Sequence, residues 1–272
     1  MAGHARSGGE RLTRREDLLR AQRDGLPQRT PPPVRLGVTG SGESLLVLAW
    51  SAADLARERA RGVRLLGRLG VRPGMRVANT LPGALATPGS LLLGDVVEEL
   101  GGLDVPLGQV GTETPAREAW ELIDRVEPGV LVLDGRSAGP LFAEAPPRAR
   151  PWWRVIIWLR GAIAEPHAAV PPAAGFSGAE RTWLAVPEAT SFVASSCAAG
   201  RFHLEDGVRA EVIEEATGNA APAGHVGPLV ITPLGGEPPP LRFASALSVR
   251  LPSPPCPCGE GGAVMELSDS GR

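Results

Sequence analysis

Apolar positions in the first half of the chain follow two periods. Residues 130–133 (Val-Leu-Val-Leu) and 154–159 (Arg-Val-Ile-Ile-Trp-Leu) form short runs that read as buried strands. Leu55, Val63, Leu66 and Leu69 recur at helical spacing, as do Leu92, Val96 and Leu100. Ser51 precedes the first stripe as an N-cap, and Thr114-Pro115 opens a further helix with Ala119, Leu122, Ile123 and Val126 apolar. Strands are expected at residues 35–39, 45–49, 75–79 and 104–107. This alternation predicts an α/β fold, a mainly parallel sheet covered by helices.

The pattern changes after Pro146. A Pro/Ala-rich stretch over 165–176 reads as an irregular connection, and from Trp183 onward no helical stripe recurs. Short β runs at 202–204, 208–213, 228–234, 241–243 and 247–251 are separated by Gly-Asn, Pro-Ala-Gly and Gly-Gly turns, which predicts a small antiparallel unit. The expected division is an N-terminal arm over 1–35, an α/β subdomain over 36–182, a β-rich subdomain over 183–262 and a flexible tail over 263–272. The arm holds a short helix near residues 14–22 and then Pro31-Pro32-Pro33, which removes backbone donors and forces extension.

With 272 residues, 43% of them hydrophobic, the chain can bury one sizeable core or two modest ones. The net charge of −2 supplies no overall positive field, so neither nucleic acid nor an anionic membrane surface is implied as a partner. No 18-residue apolar run occurs and the first residues lack the apolar middle of a signal peptide, so a cytoplasmic protein with reduced thiols is expected. The sequence contains no lysine and no tyrosine. A mechanism that needs a lysine cannot run on this chain alone.

Chemistry-bearing residues are few. Cys197 stands six residues before His203, and Cys256 and Cys258 form Cys-Pro-Cys-Gly. Three thiols and an imidazole suit a closed tetrahedral zinc site. The spacing is equally that of two unrelated buried thiols and a short Pro-rich loop. Gly40-Ser-Gly42 reads either as a phosphate cradle or as a tight turn. Glu205-Asp206 could pair for acid/base work, but neighbours in a strand face opposite ways, so a solvated turn is the expectation. Trp152-Trp153 reads as a buried strand edge rather than a base-stacking platform, His4, His167 and His225 read as surface residues, and no Ser/His/Asp arrangement is visible.

The order of several motifs resembles the phenylacetate-CoA ligase branch of the adenylate-forming enzymes, the AMP-dependent synthetase and ligase family. The resemblance is carried by Leu12-Thr-Arg-Arg-Glu-Asp-Leu18, Gly40-Ser-Gly-Glu-Ser44, Leu69-Gly-Val-Arg-Pro-Gly-Met-Arg-Val77 and Glu99-Leu-Gly-Gly-Leu-Asp-Val-Pro106. It continues through Pro187-Glu188, Phe202-His-Leu-Glu-Asp206, Glu211-Val-Ile-Glu-Glu-Ala-Thr-Gly218, Pro222-Ala-Gly224, Gly227-Pro-Leu-Val-Ile-Thr232, Pro240-Leu-Arg-Phe243 and Pro255-Cys-Pro-Cys-Gly259. It implies the core part of that family's large domain, with Cys197, His203, Cys256 and Cys258 as ligands of a structural zinc that closes the antiparallel unit.

Such enzymes activate a carboxylate with ATP and pass the acyl group to coenzyme A. The resemblance places Thr39, Gly40, Ser41 and Gly42 in a remnant phosphate loop, Glu188 at the position of the Mg2+-binding acid, and Arg242 beside the nucleotide. It also shows departures. Glu43 and Ser44 stand where glycine and lysine belong, Leu184 and Ala185 replace an aromatic-glycine pair, and Ala246-Leu247-Ser248 fills the place of the ribose aspartate. No counterpart of the lysine-bearing lid domain is seen after Gly259. ATP–Mg2+ and CoA use by the chain alone is therefore not expected. The implied role is that of a catalytically impaired binding or partner subunit for a small carboxylate or acyl ligand. The alternative is a ligase completed by a separate lid polypeptide.

Overall fold

A computed structural model describes residues 12–23, 25–26, 30–145, 152–161, 176–236, 241–252 and 255–268. His4, His167, Arg150, Pro240 and most of the connection over 165–176 lie outside the described residues. In chain order the elements are β1 (Leu12–Thr13), α1 (Arg15–Ala21), β2 (Arg35–Thr39), β3 (Leu46–Trp50), α2 (Ala52–Arg68), β4 (Arg76–Asn79), α3 (Pro88–Glu99), β5 (Leu103–Pro106), α4 (Ala116–Val126) and β6 (Val130–Leu133). They continue with α5 (Gly135–Ala143), β7 (Val155–Arg160), β8 (Ala179–Val186), β9 (Thr190–Ser196), β10 (Phe202–Leu204), β11 (Val208–Val212), β12 (Val226–Pro233), β13 (Arg242–Arg250) and β14 (Val264–Leu267).

Strands β5, β4, β6, β7 and β8 pair in parallel in that spatial order. Apolar side chains cover both faces of this sheet. Trp183 of β8 and Phe192 of β9 stack at 4.8 Å within one cluster that includes Leu65, Leu66, Leu92 and Val96 of α2 and α3, and the other cluster joins Trp120 of α4, Leu141 of α5 and Trp153. Ser51 caps α2 as predicted, its hydroxyl accepting from the Asp54 amide. Gly62 of α2 is a close approach: a Cβ there would lie 2.7 Å from both Phe192 Cζ and Val96 Cγ2. Helix α5 was not read from the sequence, because Gly-Arg-Ser-Ala-Gly-Pro is a weak helix former. It is held by the Asp134 cap on the Ser137 amide and by the Trp120 indole, which donates to the Leu141 carbonyl.

The antiparallel strands continue the same sheet. One continuous sheet runs β8, β9, β10, β14, β13, β12 and β11 beyond the parallel half, with β1 added in parallel to β13. Strand β9 escaped the sequence reading because it mixes small, polar and apolar residues, so its buried positions show no alternation. Residues 241–243 and 247–251, expected as two runs, fall largely within the single strand β13. The expectation of a flexible tail over 263–272 is overturned for its first half. Val264 and Met265 are buried and pair with β10, while Glu266 and Leu267 pair with β13. Four ordered residues suffice, because each edge of β14 supplies hydrogen bonds to a different neighbour.

Helix α2 also ties the two halves together through polar groups. Glu58 and Arg61 are buried and pair at 2.7 Å, and Glu58 accepts from Thr190 Oγ1 at 2.6 Å and from the Ser191 amide at 2.7 Å. Arg61 reaches on to the carbonyls of Gly207 and Leu234. One turn further, Arg64 and Arg68 both donate to Glu205. Glu205 is therefore a buried anion clasped by two guanidinium groups, not part of a solvated turn; burial is tolerated because both carboxylate oxygens are paired.

Candidate functional site

The turn after β9 carries Cys197, β10 carries His203, and the segment between β13 and β14 carries Cys256 and Cys258. Pairing of β9 with β10, and of β10 with β14, brings these three segments to one end of the sheet. The four ligand atoms all lie within 4.8 Å of one another. Cys197 Sγ is 3.6 Å from Cys256 Sγ, and Cys258 Sγ is 3.2 Å from His203 Nε2. Donors about 2.0–2.3 Å from a tetrahedral ion stand about 3.3–3.8 Å apart; these two contacts lie close to that spacing, and three thiols with an imidazole are a donor set that could hold a metal ion such as zinc. The other ring nitrogen, Nδ1, lies 3.3 Å from the Gly261 carbonyl, which favours the tautomer that leaves Nε2 facing the thiols. The Glu260 amide donates to Cys258 Sγ.

Packed together, Cys256 and Cys258 are shifted in opposite directions. Cys256 is lowered from the usual thiol value, first by a hydrogen bond from the Cys258 backbone. Cys258 is pushed up to about 11: the Glu260 amide lowers it, but burial and the thiols of Cys256 and Cys197 raise it further.

A second site is a cleft of 710 Å3 lined by Arg15, Glu188, Glu215, His225 and the stretch Phe243 to Ser248, among others. Glu188 sits in the turn between β8 and β9 and is 8% exposed. Thr39 closes β2, Gly40 follows in the left-handed region at φ 79°, and Ser41 caps a short 3-10 turn over Gly42–Ser44 that leads into β3. The structure thus brings the loop predicted from Thr39 to Gly42 near Glu188, but the group between them was not foreseen. Arg15 donates through Nη1 to Glu188 Oε1, and through Nη2 to the carbonyls of Thr39 at 2.9 Å and Ser44 at 2.6 Å. None of residues 39–44 lines the cleft.

Arg15 is placed by anchors at both ends of α1. Strand β1 pairs Leu12 with Arg242 and Thr13 with Phe243, and the Gln22 side-chain amide exchanges two hydrogen bonds with the backbone of Val47 in β3. Arg242 donates from Nε to Glu211 Oε2 at 3.1 Å and is not among the residues lining the cleft, although its neighbour Phe243 is. His225 is exposed as predicted, yet it lines the cleft. The sequence signal for Arg15 was the charged start of the first helix, which named no target.

No helix among the described residues is long and apolar enough to cross a membrane. No protein-family model and no curated protein matches the sequence. Solved structures do match. An open conformation of 2-hydroxyisobutyryl-CoA ligase in complex with 2-HIB-AMP and CoA is 18% identical, with a TM-score of 0.77 over 94% of this chain and 58% of that one. An ATP-bound RpMatB–BxBclM chimera is 15% identical, with a TM-score of 0.61 over 85% of this chain and 47% of that one. The amide bond synthetase McbA from Marinactinospora thermotolerans is 18% identical, with a TM-score of 0.56 over 86% of this chain and 48% of that one. The chain therefore spans roughly half the length of these structures, and over that span it shares their fold.

Proposed function

We propose that this chain is a phenylacetate-CoA ligase-like protein of the adenylate-forming family, catalytically impaired when it acts alone, and that it works as a binding or partner subunit. The observation that carries the reading is the wall of the cleft, in a fold shared with CoA ligases. Ala246 and Leu247 line it where the resemblance implies a ribose-binding carboxylate, and the chain has no lysine to set against developing negative charge. A hydrocarbon side chain accepts no hydrogen bond from a ribose hydroxyl, and loss of a preorganised cationic donor costs orders of magnitude in rate.

Cys197, His203, Cys256 and Cys258 would hold a structural zinc. Four protein donors leave no open position for water, so the ion would supply folding energy rather than Lewis-acid chemistry. Reduced thiols of this kind go with a cytoplasmic location. The cleft itself would take a small carboxylate or acyl ligand, by analogy with the ligase of similar fold that binds 2-HIB-AMP and CoA.

A second reading, an ATP-dependent carboxylate-activating ligase completed by a lysine-bearing lid polypeptide, draws support from the size of the cleft and the acid Glu188 within it. The test is pyrophosphate release from ATP and Mg2+ with a panel of aryl and aliphatic carboxylates. The chain alone is expected to release none; sustained release would sink the first reading, and release only on addition of a lid polypeptide would establish the second.

A further inference from the structure

The resemblance implies Mg2+ at Glu188 and nucleotide phosphates on the loop from Thr39 to Gly42. The groups present do not fit either. The guanidinium of Arg15 already occupies the space between loop and acid, bonded to one carboxylate oxygen and to two loop carbonyls. Gly40 is shaped to it: a Cβ at that position would collide with Arg15 Nη2 and with the Ser44 carbonyl. The loop presents carbonyl oxygens to Arg15, and carbonyl oxygens receive a cation, not a phosphate. The Arg15 side chain is only 18% exposed and that of Glu188 3%, so their contact is screened from water. The remaining oxygen, Glu188 Oε2, is buried with no hydrogen-bond partner among the described residues. A dication reaching that oxygen would meet the like charge of Arg15 at close range.

We infer that Arg15 is the resident cation of this cleft: it takes the place that Glu188 would otherwise offer to a divalent metal, and the Gly40 loop is its receptor rather than a phosphate cradle. The glycine at position 40 is then explained by the room it leaves for the arginine, and Thr39 and Ser44 serve it through their backbone carbonyls. The inference rests on the family reading above only for the identity of the displaced metal. Neither partner of the pair needs a nucleotide to be present.

Manganese binding tests it without any appeal to catalysis. Mn2+ alone is titrated into the full chain and followed by electron paramagnetic resonance, with folding checked by circular dichroism. The wild type should take up no Mn2+ that depends on Glu188. Arg15→Gln should bind one equivalent at least about tenfold more tightly, and Arg15→Gln/Glu188→Gln should lose it again, which separates this site from the thiol cluster. If Arg15→Gln does not fold, Arg15→Met decides, since it removes the charge while keeping an unbranched side chain of similar length. Glu188-dependent Mn2+ binding by the wild type equal to that of the variant would overturn the inference. So would a folded Arg15→Gln that takes up none. Pyrophosphate assays and Mn2+ titrations can fail independently, so the two proposals are judged apart.

Discussion

The parallel and antiparallel halves share one sheet but are held by different means. Around β4, β6 and β7, stability comes from apolar side chains of four helices packed on two faces, with Leu65, Leu92 and Ile123 of the helices and Leu131 of β6 fully buried. From β9 to β11, one apolar cluster remains, and specific polar groups do the rest: the thiol-imidazole cluster at one end, and the carboxylates of Glu58 and Glu205 clasped by arginines of α2. Periodic apolar packing degrades gradually when a residue is changed. A polar clasp fails when either partner is removed.

The sharpest way to break that contrast is at the thiols. Cys256→Ser, or removal of metal by a strong chelator, is expected to destabilise the chain by several kcal/mol, read as a drop in melting temperature together with loss of bound zinc. A well-folded, zinc-free wild type would show instead that the antiparallel half closes without an ion. The buried carboxylate comes next. Glu58→Ala leaves Arg61, Thr190 and the Ser191 amide without their common acceptor, and should cost about 3–5 kcal/mol in denaturant unfolding. A loss under about 1 kcal/mol would mean that water replaces the carboxylate and that α2 is joined to β9 mainly by apolar contact.

The smallest effect sharpens the comparison from the parallel side. Asp104 of β5 is raised to about 6, first by burial, against a lowering hydrogen bond with Asn79, and its Oδ1 has no hydrogen-bond partner among the described residues. An acid whose folded value lies above its unfolded value binds protons more tightly in the folded state. Asp104 therefore favours folding at low pH, and that contribution is lost as pH rises from about 4 to about 6. Asp104→Asn should flatten this slope and stabilise the chain at pH 7 by about 1–2 kcal/mol, a figure reduced for the partial exposure of the group. An unchanged pH profile in the variant would assign the slope to another group.

Legibility in the sequence followed the same division. Helices α2, α3 and α4 and strands β2, β4 and β6 were visible because each buries one face or one run, which writes a period into the chain. Strand β9, helix α5 and strand β14 were not, because they are fixed by what surrounds them: β9 by strands on both edges, α5 by the Asp134 cap and Trp120, β14 by β10 and β13. The thiol cluster could be suspected from spacing, but only strand pairing brings Cys197 and His203 to the segment from Cys256 to Cys258. Arg15 could not be foreseen at all. Its partner Glu188 lies 173 residues away, and no local pattern encodes so distant a contact.

Strand β14 has a consequence for how the molecule is made. Until residues 264–267 are made, β10 and β13 each lack a neighbour, so the growing polypeptide carries one unsatisfied sheet margin from β10 onward and a second once β13 is complete. A chain cut only a few residues before Val264 would keep both margins open to improper association.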